Sequence, residues 1–149
     1  MQDVAPTPLF KKLNLGVHKE IAVFDAPDSF ESELKQLKGV AITRNPSKPK
    51  AMKFGLVFAI TQAQLDRLSK ILAAAAEGDA VLWVAYPKGT SKRYSCEFNR
   101  DTGWSILRAA GFDTVRQVAI DEDWSALRFR RMQYVKSAGS TATSVKTRK

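Results

Sequence analysis

Short apolar runs alternate with capped, amphipathic segments along most of this chain, and this alternation restricts the fold. Six runs have the length of strands, and they cover residues 20–26, 39–43, 54–60, 79–86, 114–120 and 124–130. Strands that are linked by helices pair in parallel through right-handed crossovers, which places helices on both faces of the sheet. The last two runs are separated by three residues only, so they are expected to form an antiparallel hairpin. The pattern predicts a three-layer α/β domain with a mostly parallel sheet.

Capping residues and apolar stripes mark the helices between these strands. Four residues are expected to cap a helix or begin one: Thr7, Asp28, Thr61 and Asn99. Thr61 with Gln64 reads as a capping box, and an apolar stripe follows it at Leu65, Leu68, Leu72 and Ala75. The fourth strand, residues 79–86, is apolar on both faces and is therefore predicted to lie centrally in the sheet.

The first strand-to-helix turn lacks the glycines that a nucleotide-binding loop needs. It reads Asp25-Ala26-Pro27-Asp28-Ser29, with neither a G-x-G-x-x-G nor a G-x-x-x-x-G-K-[ST] pattern. Without glycine the backbone cannot approach a pyrophosphate closely. We therefore expect no dinucleotide cofactor, and we expect Asp28 or Ser29 to cap the following helix.

Charge and length divide the chain into a body and a tail. The 149 residues carry a net charge of +9, and six basic residues without an acid follow from Arg130 onward. We predict a single domain over residues 1–131 and a disordered basic tail over residues 132–149. This tail is expected to add weak, non-specific attraction to polyanions or nucleic acid. A basic loop, residues 44–53, adds Arg44, Lys48, Lys50 and Lys53.

Cysteine usage and hydropathy bear on the compartment. Cys96 is the one cysteine, which excludes an internal disulfide and suits a reducing environment. No apolar run reaches the roughly 18 residues of a membrane helix, and the first residues do not resemble a signal peptide. The sequence predicts a cytoplasmic protein with no membrane partner.

A helix-linked parallel sheet that ends in an antiparallel hairpin resembles the S-adenosylmethionine-dependent methyltransferases on a smaller scale. The fold class expected from this resemblance is a Rossmann-like, methyltransferase-like α/β sheet. Such a likeness of folds implies no function by itself.

Candidate site residues follow from the rule that open α/β sheets bind ligands outside the carboxyl ends of their strands. The segment after the fourth strand offers Lys88, Thr90, Ser91 and Lys92, which together suit a phosphate or carboxylate. Asp25 follows the first strand and Asp121 follows the fifth, so both are added to the predicted ligand site. The alternative is a solvated loop whose lysines contact water or pair with the acids at residues 121–123.

Metal and catalytic chemistry are not predicted. The acids at residues 121–123 precede Trp124, but adjacent positions in a turn do not converge on one cation. Lys92 and Arg93 could lower the pKa of Cys96, yet His18 lies before the first strand, at the opposite edge. There is also no G-x-S-x-G elbow. If the protein were an enzyme, Asp25 and Asp121 would be the candidate general bases.

Three segments together resemble a family of short bacterial proteins that carries a domain of unknown function. They are residues 7–13, residues 83–88 (Trp-Val-Ala-Tyr-Pro-Lys) and residues 117–129, which contain Asp-Trp-Ser-Ala-Leu-Arg. Members of that family resemble this chain in two features, a W-V-x-x-P-K strand end and a D-W-S-A-x-R hairpin. The resemblance covers about residues 7–130 and implies no activity.

Two functional hypotheses follow from the sequence. The first is a non-catalytic binding module on a degenerate Rossmann-like fold, with an anionic small molecule held at the loop after the fourth strand. The second is an interaction or scaffolding protein whose basic loop and tail contact an acidic partner or nucleic acid.

Overall fold

The computed structural model describes residues 7–45 and 51–136, and these residues form a six-stranded mixed sheet. The strands are β1 (Glu20–Phe24), β2 (Ala41–Arg44), β3 (Met52–Phe58), β4 (Ala76–Pro87), β5 (Phe112–Ala119) and β6 (Trp124–Arg131). Their order across the sheet is β2-β1-β3-β4-β6-β5. Strands β1 to β4 pair in parallel, whereas β6 is antiparallel to both β4 and β5. The predicted α/β class, with a mostly parallel sheet ending in a hairpin, is confirmed.

Strand β4 lies at the centre of this sheet, as predicted. It pairs with β3 on one side and with β6 on the other. Its residues from Leu82 to Ala85 are fully buried, because helices and loops cover both faces. An apolar run on both faces is typical of such a position.

Helices and loops cover the two sheet faces with separate hydrophobic clusters. The helices are α1 (Pro8–Lys12), α2 (Glu31–Lys35), α3 (Gln62–Ala75), α4 (Ser105–Ala109) and α5 (Met132–Lys136), and a 3-10 turn over Asp28–Phe30 precedes α2. The buried residues of α3 and α4 belong to one cluster. Those of α1 and α2 belong to the other, which also contains Trp83 of β4 and Trp124 of β6. We call the two sides the α3 face and the α1 face.

Two of the predicted helix caps are confirmed. The Thr7 hydroxyl accepts from the backbone N–H of Phe10 at 3.1 Å, directly before Pro8. The Thr61 hydroxyl accepts from the N–H of Gln64 at 3.1 Å. The Gln64 side chain reaches back to the N–H of Ile60 at 2.7 Å, so donors on both sides of the cap are satisfied.

Two other predicted caps are wrong. Pro27 precedes the 3-10 turn and no side chain caps it, so neither Asp28 nor Ser29 has the predicted capping role. Trp104 precedes α4, while the Asn99 carboxamide accepts from the N–H groups of Asp101 and Thr102 within a tight turn. In both places a local turn satisfies the backbone before the helix begins.

The chain beyond β6 is ordered further than the sequence predicts. Helix α5 occupies the first five residues of the predicted disordered tail, and Met132 donates its N–H to the Gly111 carbonyl at 2.9 Å. The prediction is therefore wrong for residues 132–136, which this bond ties to the start of β5. Residues 137–149 and residues 46–50 of the basic loop lie outside the described part. Within that part no helix is long and apolar enough to cross a membrane.

Candidate functional site

The topological switch point lies between β1 and β3, because the chain leaves β1 for β2 on one side and returns to β3 on the other. Asp25 follows β1 with a φ of 58°, in the left-handed region. Its carboxylate accepts from Arg67 Nη2 at 2.6 Å and from Gln64 Nε2 at 2.9 Å, both on α3. Its N–H donates to Asn45 Oδ1 at 2.7 Å, just after β2. These four residues, the Asp25 cluster, tie β1, β2 and α3 together at the crevice.

An ion pair also lies at the carboxyl end of β2, beside the Asp25 cluster. Arg44, the last residue of β2, donates Nη1 to Glu31 Oε2 at 2.5 Å. This hydrogen bond lowers the pKa of the Glu31 carboxyl and raises the pKa of Arg44. Neither side chain is left unpaired at the carboxyl end of β2.

Hydrogen bonds fix the loop after β4 to the hairpin turn. The Lys88 N–H donates to the Asp123 carbonyl at 2.8 Å, and Ser91 Oγ donates to Asp123 Oδ1 at 2.9 Å. Ser91 Oγ also accepts from the N–H groups of Arg93 and Tyr94, each at 3.2 Å. The Asp121 carboxylate accepts from the N–H groups of Asp123 and Trp124, both at 2.8 Å. Ser91 and Asp121 thus have structural partners already.

An open cavity of about 580 Å³ lies against this loop. Residues 86–89 and 91–99 line it, with the aromatic rings of Tyr86 and Phe98 5.9 Å apart on the α3 face. Three cations, Lys88, Lys92 and Arg93, border the cavity, and none has an ion pair within the described residues. In the described part of the chain the lysines form no ion pair with the hairpin acids; Asp123 accepts from Ser91 and Asp121 accepts from backbone N–H groups instead.

The predicted site residues are therefore only partly brought together. Lys88, Ser91 and Lys92 line the cavity, whereas Thr90 does not. Asp25 lies at the switch-point crevice and Asp121 within the hairpin turn, and neither lines the cavity. Sequence reasoning missed the far wall, residues 94–99. The only sequence feature that could have indicated this wall is a pair of aromatic residues, Tyr94 and Phe98, in a polar loop.

Burial affects two titratable groups in the cavity wall, Cys96 and Tyr86. Burial raises the pKa of the Cys96 thiol and, more than any other influence, the pKa of the Tyr86 phenol. The possibility that Lys92 and Arg93 lower the pKa of Cys96 is not supported, since burial raises that pKa and neither cation is among its causes. His18 packs near Phe54 on the α1 face, with 6.0 Å between ring centroids, away from the cysteine. No group of three metal-ligating side chains occurs over residues 7–45 and 51–136.

The solved structures with a similar fold include several methyltransferases. The N-methyltransferase NodS from Bradyrhizobium japonicum WM9 is 14% identical over 83% of this chain and 92% of its own, with a TM-score of 0.53. A SAM-dependent methyltransferase from Aquifex aeolicus is 13% identical over 82% of this chain and 87% of its own, with a TM-score of 0.52. The mitomycin 7-O-methyltransferase MmcR is 10% identical over 78% of this chain and 50% of its own, with a TM-score of 0.59.

These likenesses establish a methyltransferase-like fold. No protein-family model matches the chain, and no curated protein matches it either. NodS has also been solved with S-adenosyl-L-homocysteine, which raises the question of whether this chain can hold the related cofactor.

The switch-point crevice of this chain does not fit such a cofactor. The carboxylates of Asp25 and Glu31 pair with arginines at 2.6 Å and 2.5 Å, so a ribose hydroxyl would have to share each of them with a guanidinium. The turn after β1 contains Pro27, which has no N–H to offer, and no glycine that would let the backbone approach a ligand. The charged side chains at this crevice therefore pair with one another.

Proposed function

We propose that this protein is a non-catalytic binding module on a degenerate methyltransferase-like fold, and that it holds an anionic small molecule in the cavity after β4. The observation that carries the proposal is the contrast between two edges of one sheet. Charged groups at the switch-point crevice are paired with one another, whereas Lys88, Lys92 and Arg93 border an open cavity without a counter-ion among the described residues.

The fixed loop supports this proposal because it holds in place the backbone that carries the three cations. Ser91 Oγ and the Lys88 N–H both donate to Asp123. The loop backbone therefore loses little further conformational entropy when a ligand binds. A phosphate or carboxylate would receive charge-assisted hydrogen bonds from two or three side chains. A Cβ at Gly89 would meet nothing within 4 Å, so the fold does not require glycine there. Glycine instead leaves the loop backbone accessible to a ligand.

Replacing Lys88 and Lys92 with alanine is expected to remove ligand binding without loss of stability. Thermal unfolding against nucleotides, polyphosphates, S-adenosylmethionine and S-adenosylhomocysteine provides the measurement, since a ligand of the folded state raises Tm. At least one anion should stabilise the native protein, and the double variant should bind it at least about tenfold more weakly. Neither adenosyl compound should change Tm.

A matched control is Lys38→Ala/Lys70→Ala, which removes two exposed lysines elsewhere and the same net charge. It should keep the affinity of the native protein. The proposal is contradicted if both double variants bind the anion alike, or if S-adenosylmethionine stabilises the native protein in a manner that Lys88 and Lys92 do not affect.

Cys96 and the basic tail bear on the proposed location and on weaker partners of the protein. Cys96 is a free thiol, which suits the proposed cytoplasmic location. The basic tail would add only salt-dependent, non-specific attraction to polyanions or nucleic acid. That attraction is separable from the cavity because it should disappear at high salt, whereas binding to a preorganised site should persist.

A further inference from the structure

Two arginines face each other across the terminal hairpin. Arg116 of β5 and Arg128 of β6 are register partners on antiparallel strands, so their side chains leave the same face of the sheet. Like charges directly opposite one another destabilise a strand pair. Arg116 has no hydrogen bond or ion pair among the described residues, so no carboxylate there pairs with it.

Arg128 carries an unmet hydrogen-bonding requirement. It is half-buried, and its Nε is fully buried without a hydrogen-bond partner in the described part of the chain. Burial, together with the charges of Arg130 and Arg116, lowers the pKa of Arg128 from its ordinary value, although a guanidinium stays charged at neutral pH. The buried Nε–H without an acceptor is costly, and the like charge of Arg116 adds to that cost, so an anion bound between the two guanidiniums would stabilise both.

Arg130 lies two residues further along the same face and is already neutralised. It donates Nε to Asp79 Oδ1 at 2.8 Å and Nη2 to Asp79 Oδ2 at 2.7 Å. Of the three arginines on this face of the hairpin, only Arg130 is paired with a carboxylate of the described residues, so two positive charges remain. They are the charges of Arg116 and Arg128.

A β-bulge produces the arginine pair. The register between β5 and β6 shifts between Thr114 and Arg116, so Val115 is an extra residue, and it is 39% exposed. Without that insertion, the alternation of side chains along β5 would direct Arg116 to the other face. Bulges re-aim side chains in this way and are frequent beside functional sites.

We propose that Arg116 and Arg128 form a binding site for a dianionic phosphate group, either free phosphate or a phosphomonoester. Two arginine forks side by side match the tetrahedral oxygens of phosphate, and their two charges match its dianion. This site is separate from the cavity after β4. Arg128 is opposite Trp83, on the α1 face, whereas the cavity wall at Tyr86 belongs to the α3 face. The inference therefore does not rest on the proposed function.

Titration calorimetry with inorganic phosphate tests the site at about 0.15 M salt, where diffuse attraction is screened. Arg116→Ala and Arg128→Met should each weaken binding at least about tenfold. Lys38→Ala/Lys70→Ala and the exposed Arg100→Ala should bind as the native protein does. Arg128→Met should also raise Tm, by about 2–4 °C, because it keeps the apolar stem and removes a buried unpaired charge.

Three results would overturn the inference. They are equal phosphate binding by the native protein and Arg128→Met, an equal loss in Arg100→Ala, and the absence of phosphate binding by the native protein. Phosphoserine and a short single-stranded oligonucleotide separate the possible sources of phosphate. Phosphoserine should bind through the same arginines, and a response to Arg128→Met from the oligonucleotide alone would assign the surface to phosphodiesters and contradict the proposal.

Discussion

Replacing Trp83 with alanine is expected to lower the free energy of unfolding by about 3–5 kcal/mol. Trp83 is fully buried at the centre of β4, among the apolar side chains of the α1 face. Its indole Nε1–H also donates to the Leu13 carbonyl at 2.7 Å, which ties the segment after α1 to the sheet. Alanine would leave a cavity and an unsatisfied buried carbonyl together. Since a domain of this size is stable by only about 5–15 kcal/mol, such a loss is large.

Urea unfolding followed by circular dichroism measures this loss, and Trp83→Phe is the matched control. Phenylalanine keeps most of the apolar volume but cannot donate to Leu13, so a smaller loss of about 1–3 kcal/mol is expected. Neither variant can donate to Leu13, so the difference between them reports the packing of an aromatic ring at this position. A loss of less than about 1 kcal/mol in Trp83→Ala would contradict a central role for this side chain.

Burial patterns explain why most of the sheet could be predicted from the sequence. The run at residues 79–86 is apolar on both faces because β4 is covered on both sides, and the stripe of α3 faces the core as its spacing requires. The side of β1 on which β3 lies could not be predicted in the same way. That choice depends on contacts between strands far apart in sequence, which periodicity does not record.

The candidate site was harder to predict because its determinants are pairings between distant residues. The position of Asp25 at a strand end was evident, but its partner Arg67 lies 42 residues away on a helix whose rotational setting decides the contact. Arg116 and Arg128 meet only because a bulge shifts the register at Val115. The sequence therefore indicated which edge of the sheet carries charged side chains. It did not indicate that those at the ends of β1 and β2 pair with other charged side chains.

One residue of the cavity wall, Phe98, packs closely against Gly103. Gly103 has a φ of 100°, and a Cβ there would lie 2.8 Å from both Phe98 Cβ and Gln62 Oε1. Its carbonyl accepts from Gln62 Nε2 at 2.9 Å, which joins the start of α3 to the segment before α4. A substitution at this position therefore strains the backbone and displaces Phe98, a residue that lines the cavity.

We expect Gly103→Ala to lower the free energy of unfolding by roughly 2–4 kcal/mol, from the left-handed backbone and the two close contacts together. Gly89→Ala is the matched control, since a Cβ there meets nothing within 4 Å, and its stability should stay within about 0.5 kcal/mol of the native protein. Urea unfolding of both variants provides the comparison. Equal stability of the two variants would mean that the chain relaxes around Gly103 without strain. The position of Phe98 in the cavity wall would then not depend on glycine at residue 103.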